Sequence, residues 1–107
     1  MTNLTDREWA AKTIGFRFIP KVGAFGSNVW VDENANDVTH IVNTDALLLD
    51  ALKEWLRENV YYMESFFYSP DGSWIFVIQP TDMKSYWHDA DTELAACIAA
   101  MRLMEEG

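Results

Sequence analysis

Between Val60 and Gln79, two runs of aromatic and aliphatic residues flank the tetrapeptide Ser69-Pro70-Asp71-Gly72, and both runs are apolar on both faces. No other feature restricts the possible folds as much. Proline presets a turn and glycine accepts the positive φ that closes it, so the segment reads as a β-hairpin with strands at 60–68 and 73–79. At period 2, Tyr62, Phe66 and Tyr68 point one way and Tyr61, Met63 and Phe67 the other. On the return strand Trp74, Phe76 and Ile78 oppose Ile75 and Val77. A strand apolar on both sides is normally central and covered twice. The pattern therefore predicts a layered α/β (α+β) sandwich with an antiparallel-rich sheet and helical cover above and below the hairpin.

Three helices are expected to supply that cover, at about 5–14, 45–58 and 91–105. Thr5 and Glu8 form a capping box, Leu4 and Trp9 stand where a hydrophobic staple closes, and Gly15 is a stop. Phe16, Phe18 and Ile19 read as a short edge strand ended by Pro20. Asn28 to Asp32 and Val38 to Val42 read as two strands joined by the polar turn 33–37. Thr44 or Asp45 caps the second helix, whose stripe is Leu48, Leu52, Trp55 and Leu56, and Asn59 closes it. Pro80 is expected to end the hairpin, and 81–90 to be a loop. The third helix carries Leu94, Cys97, Ile98, Met101 and Met104 on one stripe among small alanines, with Asp91 and Glu93 near its positive end.

A chain of 107 residues, half of them hydrophobic, is long enough for one domain, 1–107, with a core that needs neither disulfide nor metal. The apolar runs are far shorter than the ~20 residues of a membrane span, and no leader pattern opens the sequence, so no secretory signal is expected. A single cysteine fits a reducing cytoplasm. Charge is unevenly distributed: residues 1–26 balance at +2, whereas 27–107 carry four basic and fifteen acidic groups, and no Lys or Arg lies between Ser27 and Leu52. Such a surface keeps a small aromatic-rich protein in solution. It also repels nucleic acid and anionic membranes and attracts basic partners.

The candidates for chemistry are few. The 21–27 loop holds two glycines, but its lysine precedes them and a strand follows, the reverse of a phosphate-cradling loop. His88-Asp89-Ala90-Asp91 concentrates ligand-type side chains, yet Asp89 or Asp91 reads more simply as a helix cap, with His88 in the loop. Cys97 sits on an apolar stripe without a base beside it. No nucleophile-elbow, zincin or C-x-x-C pattern occurs. Neither an enzyme nor a cofactor is expected. Tyr86 and Trp87 stand out, because aromatics beside acidic residues often mark a protein-binding patch. The alternative for Trp87, folding back over the sheet edge, stays open.

Four segments resemble a family of small bacteriophage proteins, the phage α-β-α sandwich domain. They are Lys12-Thr13-Ile14-Gly15-Phe16, Trp30 with Asp32, Asn43-Thr44-Asp45-Ala46, and the alanine-rich run from Glu93 to Met101 with its central Cys97. The acidic turn from Asp32 to Asp37 and the Tyr86-Trp87-His88 segment depart from that pattern. The resemblance implies an α-β-α fold, a phage or prophage origin and action in the cytoplasm of a bacterial host, and it brings no catalytic residues.

The leading expectation is a non-catalytic acidic phage accessory protein that binds and inhibits a host or defence protein with a basic surface, an anti-CRISPR role among the options. Its binding candidates are Asp32, Glu33, Asp37, Tyr86, Trp87, His88, Asp89 and Asp91. Direct nucleic-acid or membrane binding is not expected, and a homodimer is compatible with the sequence. The alternatives are a sponge for a small molecule or nucleotide, for which Arg17 and Lys21 are the nearest phosphate-binding groups, and a phage structural or assembly protein.

Overall fold

Thr5 starts the first helix: its hydroxyl oxygen accepts the Glu8 amide at 3.2 Å, satisfying one of the donors that a helix start leaves free. The structure, a computed structural model, describes residues 5–20 and 28–106. Leu4 of the expected staple and the 21–27 loop lie outside the described residues. Helix α1 spans Asp6–Thr13, and Gly15 turns the chain out of it at φ +99°. Strands β1 (Arg17–Ile19) and β2 (Val29–Val31) then pair antiparallel, with Phe18 opposite Trp30.

The segment 38–42, expected as a strand, is mostly the short helix α2, Thr39–Val42. Two carboxylates divert it. Asp32 accepts the amides of Asn34 and Asn36, both at 2.9 Å, closing a turn in which Ala35 takes φ +62°. Asp37 accepts the Thr39 amide at 2.9 Å and so winds the chain into a helix after a single bridge to Val31. Thr39 turns its hydroxyl back to accept the Trp30 amide at 2.9 Å. β-Branched composition favours a strand here, but these local bonds prevail.

By its contacts the chain divides into two compact units, Met1–Leu48 and Leu49–Gly107. The first has Ala11, Trp30, Val38 and Val42 as its core, with Phe16 and Ile41 packed on it. Arg7 donates to the Val42 carbonyl at 2.9 Å and pairs with Asp45, tying α1 to the residues that follow α2.

Helix α3, Asp45–Asn59, is the expected one; Leu48, Leu52 and Leu56 are fully buried, and Asn59 closes it by donating to the Trp55 carbonyl at 2.8 Å. The hairpin follows as β3 (Tyr62–Tyr68) and β4 (Ser73–Thr81), with Gly72 at φ +65° in the turn. Pro80 does not end β4. Between Ile78 and Thr81 the register slips, and that irregularity accommodates a residue with no amide hydrogen. The expected loop 81–90 is instead a third strand, β5 (Lys84–Ala90), and the sheet order is β3-β4-β5. Its charged and polar residues suit an edge strand, where half of the backbone and one side of the sheet face water.

Helix α4, Glu93–Glu106, begins two residues later than expected, and its cap is Thr92 rather than Asp89 or Asp91. The Thr92 hydroxyl oxygen accepts the Ala95 amide at 3.1 Å. α4 packs across β4 and β5 and buries Leu94, Ala96, Cys97, Ile98, Ala100 and Met101. Glu93, at its start, takes Lys53 of α3 and the Ser65 hydroxyl of β3 on one carboxylate oxygen, each at 2.6 Å. Burial pushes the Glu93 carboxyl up, but Lys53 and Ser65 outweigh it and hold the group below its ordinary range.

Cys97 lies sealed on this side of the sheet, and burial is the main cause that pushes its thiol up to about 12; Lys53 opposes the rise and Glu93 adds to it. Because the thiolate is the nucleophile, iodoacetamide at pH 8 is expected to alkylate native Cys97 at least about a hundredfold more slowly than the urea-unfolded chain. Equal rates, read by mass spectrometry, would contradict the packing of α4.

Candidate functional site

Pairing in the β3-β4-β5 sheet sorts its side chains into two faces. Met63, Ile78 and Tyr86 share one row, and Ser65, Phe76 and His88 the next. This is the helix side, where Phe76 and Ile78 are buried and Ser65 reaches Glu93, while Phe67, near the turn, is 53% exposed. The opposite face carries the rows Glu64, Val77, Trp87 and Phe66, Ile75, Asp89, with Tyr62 and Tyr68 beyond them. There the aromatic rings stand open: Tyr62 is 47% exposed, Phe66 41%, Tyr68 43% and Trp87 59%. The hairpin is apolar on both sides and β4 is central, as expected. The pattern predicted cover on this side too, and these rings are instead exposed.

Four exposed aromatic side chains share this one face, and apolar side chains gathered on one face mark interaction sites more often than scattered ones do. Its ionisable side chains other than tyrosine are Glu64 and Asp89, and no Lys or Arg lies in its rows. Tyr62 donates its hydroxyl to Oε2 of Glu64 at 3.0 Å, and this bond, above the smaller effects of desolvation and of the carboxylate's charge, raises the phenol's pKa. The face is thus aromatic, fixed in geometry by two ladders, and negative.

The sequence candidates fall in different places. Trp87 and Asp89 lie on the open face, so Trp87 does not fold over a sheet edge. Tyr86 and His88 alternate to the other side, and Asp91 lies between β5 and α4. The His88 Nδ1 is 2.7 Å from the Asp89 carbonyl, a contact that places the imidazole proton on Nδ1. Asp32 and Asp37, in the first unit, shape the turn before α2; the Asn36 amide holds the Asp32 carboxyl below its ordinary range, and the Thr39 hydroxyl, with the Thr39 amide, does the same for Asp37. Glu33 is exposed beside them. Tyr62, Glu64, Phe66 and Tyr68 were not among the candidates. Period 2 assigned the three rings to one face, but that face was expected to be covered.

Clefts lined by described residues are small. One of about 180 Å³ is bounded by Glu8, Lys12, Phe18 and Trp30, and one of about 260 Å³ by Arg57, Val60, Tyr61, Tyr62 and Met63. Both fall below the roughly 300–1,000 Å³ of sites that enclose cofactors or drug-sized ligands. Among the described residues no three His, Cys, Asp or Glu side chains group as metal ligands, and no helix is long and apolar enough to cross a membrane. No protein-family model matches this chain, and no curated protein or solved structure does.

Proposed function

We propose that this chain is a non-catalytic binding protein that docks on a basic protein surface through the open face of β3, β4 and β5. The observation that carries the reading is the coincidence of exposed Tyr62, Phe66, Tyr68 and Trp87 with Glu64 and Asp89 on paired rows that hold no Lys or Arg. Interface cores are enriched in aromatic residues, and a negative rim steers a positive partner into register. The setting we propose is a bacteriophage accessory protein that inhibits a host or defence protein in the bacterial cytoplasm, an anti-CRISPR role included. Support for that setting comes from the sequence resemblance, small size and acidity.

Affinity capture from bacterial lysate tests the docking face. A basic protein retained by the native chain should be lost with Trp87→Ala and with Glu64→Lys/Asp89→Lys, and its retention should fall steeply between 50 and 300 mM salt, as rim charges imply. In the first unit Glu33→Lys is the clean probe, because reversing Asp32 or Asp37 breaks the turn itself. Retention indifferent to salt and to the sheet-face substitutions would overturn the proposal.

A further inference from the structure

We propose that the open sheet face reads arginine side chains of its partner, with a ring and a carboxylate on each of two strands forming paired guanidinium seats. The inference rests on the docking function proposed above and narrows its partner to an arginine-bearing segment. On β3 the seat is Glu64 with Phe66, and on β5 it is Asp89 with Trp87. In each, carboxylate and ring lie two residues apart on the same face of one strand, about 7 Å along the chain. β3 and β5 flank β4, so the seats lie about 10 Å apart, and Ile75 and Val77 fill the floor between them.

The register crosses the two seats. Glu64 shares its row with Trp87, and Phe66 shares its row with Asp89, so carboxylates occupy one diagonal and rings the other. A guanidinium stacked on a ring in either seat therefore has a carboxylate along the strand. A planar fork can lie on a ring face and bond a carboxylate through its edge, whereas an ammonium offers a hydrated point charge with no plane to stack. The Tyr62 hydroxyl bond to Oε2 orients the Glu64 carboxylate in advance. No Lys or Arg lies in the paired rows of this face, and the chain's net charge of −9 works against a second copy as the occupant.

Titration of the isotope-labelled full chain with nona-arginine and with nona-lysine, followed by amide chemical shifts, tests this. Nona-arginine should move the amides of residues 64, 66, 75, 77, 87 and 89 and bind about fivefold or more tightly than nona-lysine. Glu64→Gln/Asp89→Asn and Trp87→Ala, each with an unchanged circular dichroism spectrum, should each weaken it by about fivefold or more. Equal binding of the two peptides at these residues would overturn the arginine reading and leave an acidic docking face standing. Shifts confined to other surfaces with both peptides would overturn the docking face as well. Concentration-dependent shifts of the same residues without peptide would assign the face to a second copy and overturn the proposal.

Discussion

Phe76→Ala is expected to lower the unfolding free energy by about 4 kcal/mol, the loss typical of a buried aromatic truncated to alanine. Phe76 is 1% exposed in the middle of the central strand, between Ser65 on β3 and His88 on β5. Helix α4 packs over β4, and a close-packed core relaxes only partly into the space vacated by the ring. A chain of this size should lose about 15–20 °C in melting temperature as a result. The adjacent Ile75 gives the control. It points to the open face and is only partly buried, so Ile75→Ala should cost about 1 kcal/mol. Losses of equal size, measured by urea unfolding, would mean that the helices do not take one side of the sheet.

The second large effect belongs to the first unit. Trp30→Ala should cost about 3–5 kcal/mol, because Trp30 is 6% exposed and packs in a core with Ala11, Val38 and Val42. The indole also lies 5.3 Å from the Phe18 ring at a 51° tilt, a contact worth about 1 kcal/mol beyond area. Trp30→Phe keeps most of the volume and should cost only about 1–2 kcal/mol. Its backbone bonds, the amide to the Thr39 hydroxyl and the carbonyl from the Val38 amide at 2.7 Å, survive either change. A loss below about 1 kcal/mol for Trp30→Ala, far under the usual aromatic truncation, would show that the indole is not central to this core.

Local chemistry made several elements legible from residues alone. Thr5 and Gly15 bound α1, the leucines of α3 fall on one stripe, and Pro70 with Gly72 closes the hairpin. In each case the determining interaction spans four residues or fewer. Two segments depart from expectation, one through a local carboxylate and a hydroxyl bond nine residues away, the other through strand pairing. Residues 38–42 carry strand-forming side chains, yet a carboxylate at 37 and a hydroxyl bond to Trp30 wind them into α2. Residues 84–90 look like a polar loop, yet pairing with β4 gives their backbone a ladder that composition does not announce. Two of the six residues of the candidate site were legible in the same sense: Trp87 and Asp89 were visible as an aromatic and an acid two residues apart, but Tyr62, Glu64, Phe66 and Tyr68 on β3 were not among the candidates.

The amino-acid order alone determined the α+β class, the centrality of the strand around Phe76, and which of its neighbours share a face, because side-chain alternation along an extended chain is a property of the backbone. It did not decide what lies over each face. Only tertiary packing did, by placing α4 and Glu93 on the Phe76 side and leaving Tyr62, Phe66, Tyr68 and Trp87 open. Periodicity reports that a face is apolar. Whether a helix or another protein covers it depends on where distant segments of the chain come to rest.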